Sequence, residues 1–202
     1  MDDPQLLTKS TYNRIAAKWT REHNTPGFWE KEFEVFKRLL PGGKVLDVGC
    51  GPGKHSVFLQ QAGYDYVGVD YSEGLLEIAR SEFPNAKFIE GDILHLPFRK
   101  DQFDGFWAAA SLLHIPKGDI GSALNEIKRV VKEDSIGFIA LKKGDGERVV
   151  VDEEDSGDQR FFSFWQKEEF QKTLEENDFE VLEFSEHPTN RKTTWLVFFV
   201  KV

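Results

Sequence analysis

Apolar positions along this chain change their period several times, and each change marks an element. Over 10–24, Tyr12, Ile15, Ala16 and Trp19 recur at the three-and-four spacing of one helical face. Thr25-Pro26-Gly27 interrupts that pattern. Trp29, Phe33, Phe36 and Leu40 then form a second helical stripe that stops at Pro41-Gly42-Gly43. Beyond it, short apolar runs alternate with helical patterns. A strand at 45–48 runs into a glycine-rich turn, and 54–62 reads as a helix closed by Gly63. A strand over 65–70 follows, then a helix with Ser72 as N-cap and Leu75, Leu76 and Ala79 on its core face, broken by Pro84. Strands at 86–90 and 103–110, a helix over 119–132 carrying Ile120, Leu124, Ile127 and Val131, and a strand over 136–141 complete the series.

Strands separated by helices of this length predict βαβ units and a parallel sheet covered on both faces. The tail departs from that rhythm. Runs over 179–184 and 194–202 are joined only by a polar loop containing Pro188, too short for a crossover helix, so they predict an antiparallel pair. The expected fold is α/β: a seven-stranded, mostly parallel sheet with an antiparallel C-terminal strand and a helical N-terminal segment. The stretch 142–165 is the least regular. Val149-Val150-Val151, the acidic run Asp152-Glu153-Glu154-Asp155 and the aromatic run Arg160-Phe161-Phe162-Ser163-Phe164-Trp165 predict a hairpin-like flap.

Composition narrows the function classes. At 202 residues the chain has single-domain length, and its net charge of −9 opposes a sequence-independent grip on nucleic acid or anionic membrane. One cysteine allows no internal disulfide, and no Cys/His cluster has zinc spacing, so no metal is expected. The N-terminus Met1-Asp2-Asp3-Pro4 has neither a basic region nor an apolar core, and no apolar run approaches the ~20 residues of a membrane span. The expectation is a soluble, cytoplasmic protein.

The chemistry concentrates in Val45-Leu46-Asp47-Val48-Gly49-Cys50-Gly51-Pro52-Gly53. Strand, glycine turn and helix together bring backbone N–H groups and a helix N-terminus up to a ligand. The dinucleotide pattern Gly-x-Gly-x-x-Gly needs its third glycine where Lys54 stands, and no Gly-Lys-Ser/Thr ending provides a P-loop. Asp47, an acid within an apolar strand, is expected to order the turn by accepting backbone N–H bonds, or to meet a ligand amino group through water. Asp70 ends the second strand, where a carboxylate accepts from ribose hydroxyls; the alternative is a helix-capping acid. Asp92 with Ile93 offers an acceptor for an adenine amino group and an apolar face for its ring, the alternative being a turn aspartate after Gly91. Cys50 reads as a small filler.

Four segments in order carry a resemblance. The glycine stretch, Val67-Gly68-Val69-Asp70-Tyr71-Ser72, Glu90-Gly91-Asp92-Ile93 with Leu96-Pro97-Phe98, and Phe103-Asp104-Gly105-Phe106-Trp107 leading to Ser111-Leu112-Leu113-His114 resemble the successive motifs of class I S-adenosylmethionine-dependent methyltransferases, in their small-molecule (type 11/25-like) branch. The resemblance implies a Rossmann-like fold, S-adenosylmethionine as cofactor and a small-molecule methyl acceptor. It covers 44–141 well as a cofactor-binding core of one methyltransferase domain over 1–202, with 1–40 as a helical lid and 142–165 as an acceptor-site flap. The cofactor-binding set it implies is Tyr12, Asp47, Gly49, Gly51, Lys54, Asp70, Tyr71, Asp92, Ile93 and Ala109. Tyr12 and Lys54 are the candidates for the methionine carboxylate, and Trp19 shields the site or packs the lid.

His114 follows the fourth strand, where the acceptor pocket opens in such folds, and is the candidate acid–base catalyst because imidazole titrates near neutrality. His55 lies near the glycine turn with a weaker case. Aromatics at 161–165 suggest a wall for a planar acceptor or a core-packing edge, and the acidic run at 152–155 suggests attraction of a cationic one. Three other readings stand beside the small-molecule enzyme: a protein or nucleic-acid methyltransferase of the same fold, a non-catalytic cofactor-binding module, and a nicotinamide oxidoreductase. Ala109-Ala110-Ser111-Leu112 stands where amino-directed DNA enzymes resemble one another in an Asn/Asp-Pro-Pro-Tyr/Phe motif.

Overall fold

The computed structural model describes residues 3–23, 28–152, 157–189 and 193–202, with Asp152 known by its backbone alone. Helix α1 (Pro4–Glu22) starts earlier than the apolar stripe implies, because Pro4 sits in the first turn and the Asp3 side chain accepts from the Gln5 N–H at 2.9 Å. Helix α2 (Glu30–Leu39) carries acids in its first turn and bases in its last, complementing the helix dipole, and buries Phe33 and Phe36. The core elements then alternate: β1 (Lys44–Val48), α3 (His55–Gln61), β2 (Asp65–Asp70), α4 (Glu73–Glu82), β3 (Lys87–Glu90), β4 (Phe103–Ala109), a 3-10 turn (Leu112–His114), α5 (Ile120–Val130) and β5 (Val131–Lys142). A hairpin of β6 (Glu147–Asp152) and β7 (Asp158–Ser163), helix α6 (Lys167–Glu176), β8 (Glu180–Pro188) and β9 (Thr194–Lys201) complete the chain.

The main sheet has seven strands in the order β3-β2-β1-β4-β5-β9-β8, and β9 runs antiparallel to both of its neighbours. The expected α/β architecture is therefore present. Each strand's alternation sends neighbours to opposite faces: Phe106 and Ala108 join the core under α5 and α6, while Trp107 and Ala109 join the core under α2, α3 and α4. Trp107 is fully buried and stacks on Phe138 from β5 with ring centroids 3.8 Å apart.

Two elements differ from the sequence reading. Strand β5 begins at Val131, where a helix was expected, because α5 ends at Val130 and a register irregularity between Phe103 and Gly105 lets the strand pair early. Helix α6 was not anticipated. Its signal is the capping box between Gln166 and Glu169, followed by Phe170 and Leu174 at helical spacing, which are both buried.

The sheet order reverses between β1 and β4: the chain runs outward through β2 and β3, then crosses to the other side. A crevice forms beyond the carboxyl ends of the strands at such a switch point. Helix α1 roofs that crevice and is fastened from two sides. On one, Asn13 Oδ1 accepts from Ser72 Oγ at 2.8 Å and from the Gly74 N–H at 3.0 Å. On the other, Thr11 Oγ1 donates to the Gln159 carbonyl at 2.7 Å, the Phe161 N–H donates to Thr8 Oγ1 at 3.0 Å, and Arg14 pairs with Asp158 at 2.5 Å. The hairpin predicted over 142–165 thus meets the lid directly.

Candidate functional site

A cleft of about 1090 Å³ opens under α1 at the ends of β1, β2 and β4. Its floor is the glycine turn. Gly49 and Gly51 adopt φ of 71° and 52°, a region costly for side chains with a Cβ. The N–H groups of Gly49 and Cys50 both donate to the Val69 carbonyl, at 2.8 and 3.0 Å, which ties the turn to the end of β2. A Cβ on Gly49 would stand 2.3 Å from the Ser111 Cβ, whereas a Cβ on Gly51 would meet nothing within 4 Å. The first glycine is needed for close packing, the second for close approach from the cleft.

Asp70 holds the turn open. Its Oδ2 accepts from the Gly51 N–H at 2.7 Å and its Oδ1 from the Ser72 N–H at 2.8 Å. A carboxylate offers about four lone-pair sites, so it keeps acceptor capacity beyond these backbone donors. Burial outweighs those hydrogen bonds and pushes its pKa up from 3.8 to about 6. The expectation that Asp47 orders the turn is corrected here. Asp47 is fully buried below the cleft, and its Oδ2 accepts from the Tyr66 hydroxyl at 2.9 Å, with His55 Nδ1 at 3.4 Å. Strand pleat explains the exchange: Asp47 lies within β1 and points to a helix-covered face, while Asp70 ends β2 beside the turn.

Asp92 and Ile93 line the same cleft after β3. Asp92 Oδ1 accepts from the Leu94 N–H at 2.9 Å, and its Oδ2 has no partner among the described residues. Tyr71 lines the cleft with the Lys9 ammonium 4.0 Å over its ring, and Lys9 also pairs with Glu90 at 2.9 Å. Lys54 reaches the cleft but gives its ammonium to carbonyls near the end of α1, Thr20 at 3.1 Å and His23 at 2.6 Å. Desolvation lowers its pKa. In this arrangement Lys54 anchors the lid to the glycine turn. Cys50 is buried, and desolvation raises its pKa well above the ordinary thiol value, so it is inert as a nucleophile.

At the other end of the cleft, Tyr12 and His114 meet. His114 Nδ1 lies 2.7 Å from the Phe161 carbonyl, which can only accept, so Nδ1 carries the proton. Nε2 is then an acceptor, and the Tyr12 hydroxyl, 3.0 Å away, donates to it. Burial, with Arg160 and Lys142 nearby, pushes the imidazole down from 6.5 to about 3. The expected near-neutral titration is thereby corrected: His114 is held neutral across the physiological range. Ala109 and Ala110 border this end, and Ala110 turns the chain with a φ of 61°, at a cost of roughly 1–2 kcal/mol.

Beyond this pair the cleft is walled by Trp19, Phe162 and Trp195 and by two cations, Lys142 and Arg160. Trp19 packs edge-on to Tyr12 at 5.2 Å and stacks on His23 at 3.3 Å. Among the described residues, no three His, Cys, Asp or Glu side chains are grouped to hold a metal, and no helix is long and apolar enough to cross a membrane. The acidic run 153–155 lies outside the described residues.

Comparison with known proteins bears on this geometry. Residues 45–134 match the family model of a methyltransferase domain. Over those residues the chain is similar to methyltransferase domains. The chain is 37% identical over 108 residues to methyltransferase GfsG of Streptomyces halstedii, covering 49% of this chain and 38% of that protein. It is 30% identical over 132 residues to a demethylmenaquinone methyltransferase of Staphylococcus saprophyticus, covering 60% and 56%. The chain thus spans about half or less of the length of these curated relatives. A Burkholderia thailandensis 1,6-didemethyltoxoflavin-N1-methyltransferase, solved with its acceptor and S-adenosylhomocysteine, shares the fold with a TM-score of 0.82 at 17% identity, over 100% of this chain and 91% of that one.

The methyltransferase family's cofactor fits the residues present. Gly51 leaves open space where any other residue would intrude, Asp70 keeps acceptor capacity suited to ribose hydroxyls, and Asp92 Oδ2 has no partner among the described residues. Nine of the ten residues expected around the cofactor, and His114, line one cleft; Asp47 does not. The sequence reading missed Lys142, Trp195, Asn13 and Lys9, and quoted Arg160 only as part of an aromatic run. Lys142 had one usable signal: it ends the buried β5, at the carboxyl end where parallel strands deliver ligand-binding groups.

Proposed function

We propose that this methyltransferase domain binds S-adenosylmethionine along the glycine turn and transfers its methyl group to a small-molecule acceptor by in-line attack. The observation that carries the proposal is Asp70, which ends β2 beside the glycine turn, with both oxygens anchored by backbone N–H groups and acceptor capacity remaining. In this arrangement Asp70 takes the ribose hydroxyls, Asp92 and Ile93 take the adenine, and the Gly49–Gly51 backbone passes beside the amino-acid part. The bound cofactor supplies an electrophilic methyl group on a sulfonium with a neutral thioether as leaving group.

The chain's own residues do the rest by position. Tyr12 and Trp19 on α1, with Phe162 on β7, wall the cleft. His114 keeps its Nε2 basic lone pair on the Tyr12 hydroxyl and acts by fixing that roof, its low pKa making it a weak base. Orientation of acceptor and methyl donor then provides most of the rate effect. A roofed cleft and a net charge of −9 favour a small acceptor over nucleic acid.

Titration calorimetry with S-adenosylmethionine and S-adenosylhomocysteine tests the proposal. Both are expected to bind, and Asp70→Asn is expected to weaken binding by about tenfold or more through lost charge-assisted hydrogen bonds. Absence of binding by the wild-type protein rejects it. Incubation with methyl-labelled cofactor and a fractionated metabolite pool separates turnover from a non-catalytic binding module, which would label nothing.

A further inference from the structure

Lys142 ends β5 and lines the cleft. Its register partner across the sheet is Trp195 on β9, and its nitrogen lies 4.2 Å from the Phe162 ring centroid and 5.9 Å from that of Trp195. His114 packs on the same Phe162 ring at 4.7 Å, so Lys142 and the Tyr12–His114 pair meet at one wall of the cleft. Two rings flank the Lys142 nitrogen, and among the described residues it makes no hydrogen bond and no ion pair. Burial, with Arg160 nearby, pushes its pKa down from 10.5 to about 8. Close to neutral pH a substantial share of molecules therefore carries a neutral amine here.

The titratable groups around Lys142 are poor bases by comparison. His114 on the 3-10 turn has its Nδ1 proton on the Phe161 carbonyl and its Nε2 on the Tyr12 hydroxyl, and burial holds it at about 3. Tyr12 on α1 has its own pKa raised by burial, so it keeps its proton. Arg160 on β7 stays protonated whatever it pairs with. His55 stands at the start of α3, its Nδ1 3.4 Å from Asp47 beside the glycine turn. The carboxylates that line the cleft among the described residues are Asp70 and Asp92 after β2 and β3, and Glu22, Glu30 and Glu34 on α1 and α2. None of them pairs with Lys142.

We infer that Lys142 is the proton acceptor for methyl transfer, and that the group methylated is a ring-borne hydroxyl, a phenol, set against Phe162 and Trp195. This rests on the proposed methyltransferase function and gives it a catalytic base and a substrate class. The phenol oxygen forms the bond to the methyl carbon as its proton passes to the neutral Lys142 Nζ. The electron pair of the broken carbon–sulfur bond stays on sulfur. One positive charge thus moves from sulfur to nitrogen, and the net charge of the cleft is unchanged. The acidities suit each other: a phenol ionises at about 10, within roughly two pH units of Lys142, where a base is effective. A carboxylic acid is already ionised at neutral pH and needs no base, and a flat ring fits walls made of rings.

Two measurements test this. Acetic anhydride labelling of the free protein across a pH series, read by mass spectrometry, is expected to give Lys142 half its full reactivity at about pH 8 and exposed lysines theirs at about 10. A Lys142 that titrates with the exposed lysines, or that this small reagent does not reach, overturns the inference. Methyl transfer from S-adenosylmethionine is then measured with 2-naphthol and with the stronger acid 4-nitrophenol. The wild-type protein is expected to methylate 2-naphthol, and Lys142→Met to lower kcat by about 100-fold or more. Lys142→Arg is expected to restore nothing, since arginine keeps its proton. The loss is expected to be smaller with 4-nitrophenol, which ionises without help, a dependence that a merely structural role does not produce. Calorimetry with S-adenosylhomocysteine checks that each variant is folded. No transfer to either phenol, equal losses with both, or an active Lys142→Arg overturns the inference. Failure of S-adenosylhomocysteine to bind the wild-type protein rejects the proposed function instead.

Discussion

The two ends of the cleft are built by different means. At the end holding Asp70 and Asp92, the carboxylates and the backbone N–H groups they bind belong to the turn after β1 and the ends of β2 and β3. At the acceptor end the groups come from α1, β5, β7 and β9, far apart in the chain, and consist of cations against aromatic rings. The first end is made of loops that leave three neighbouring parallel strands, β1, β2 and β3. The second is made where a helix and a hairpin meet, held by Thr8, Thr11 and Arg14. A fold can therefore keep the first unchanged and vary the second, since few of the second's residues carry the sheet.

That contrast breaks in measurable ways, the largest of them at the floor. Gly49→Ala places a Cβ 2.3 Å from Ser111 in a left-handed backbone conformation, and is expected to cost about 2–4 kcal/mol of stability by urea denaturation. Trp107→Ala, in the core behind the floor, belongs to the same class at about 3–5 kcal/mol. Neither effect depends on the acceptor.

Next in size is the pH dependence of cofactor binding. Asp70 titrates at about 6 in the free protein, and its charged form is the one that accepts ribose donors, so affinity is expected to fall as pH drops below about 6. Asp70→Asn removes that inflection. An unchanged inflection in the variant would place the titrating group elsewhere.

At the other end of the cleft the effects are smaller. Tyr12→Phe deletes the donor to His114 Nε2 and leaves a buried acceptor unpaired, for an expected loss of about 1–3 kcal/mol, read in thermal stability and in kcat/KM. His114→Gln has the least effect at neutral pH. Native His114 has a pKa of about 3 against 6.5 when unfolded, so the unfolded chain binds more protons between those values. Wild-type stability is therefore fully present above about 6.5 and is lost as pH falls toward 3. The variant is expected to show a shallower decline in Tm over that range.

Much of the first end could be read from residues in order. Gly49, Gly51, Asp70 and Asp92 sit at fixed offsets from strand ends, and the strands declare themselves by apolar runs. The choice between Asp47 and Asp70 as the acid that orders the turn could not be read that way, because it depends on which neighbouring strand end reaches Gly51. Lys54 is a similar case: its sequence place suggests a ligand contact, but α1 folds back and presents the Thr20 and His23 carbonyls to it. Helix α6 was hidden because its apolar face is only Phe170 and Leu174 among polar residues.

What the sequence determined by itself was local: element types, the glycine turn, the acids at strand ends and hence one half of the cleft. Periodicity and steric limits act within a few residues, so they are present in the one-dimensional pattern. The tertiary structure alone decided the tautomer and neutrality of His114, the pairing of Tyr12 with it, and the meeting of Lys142 with Arg160 across Phe162. Those outcomes depend on burial and on the approach of groups from distant elements, which set charge and hydrogen-bond partners only once the roof has closed over the sheet.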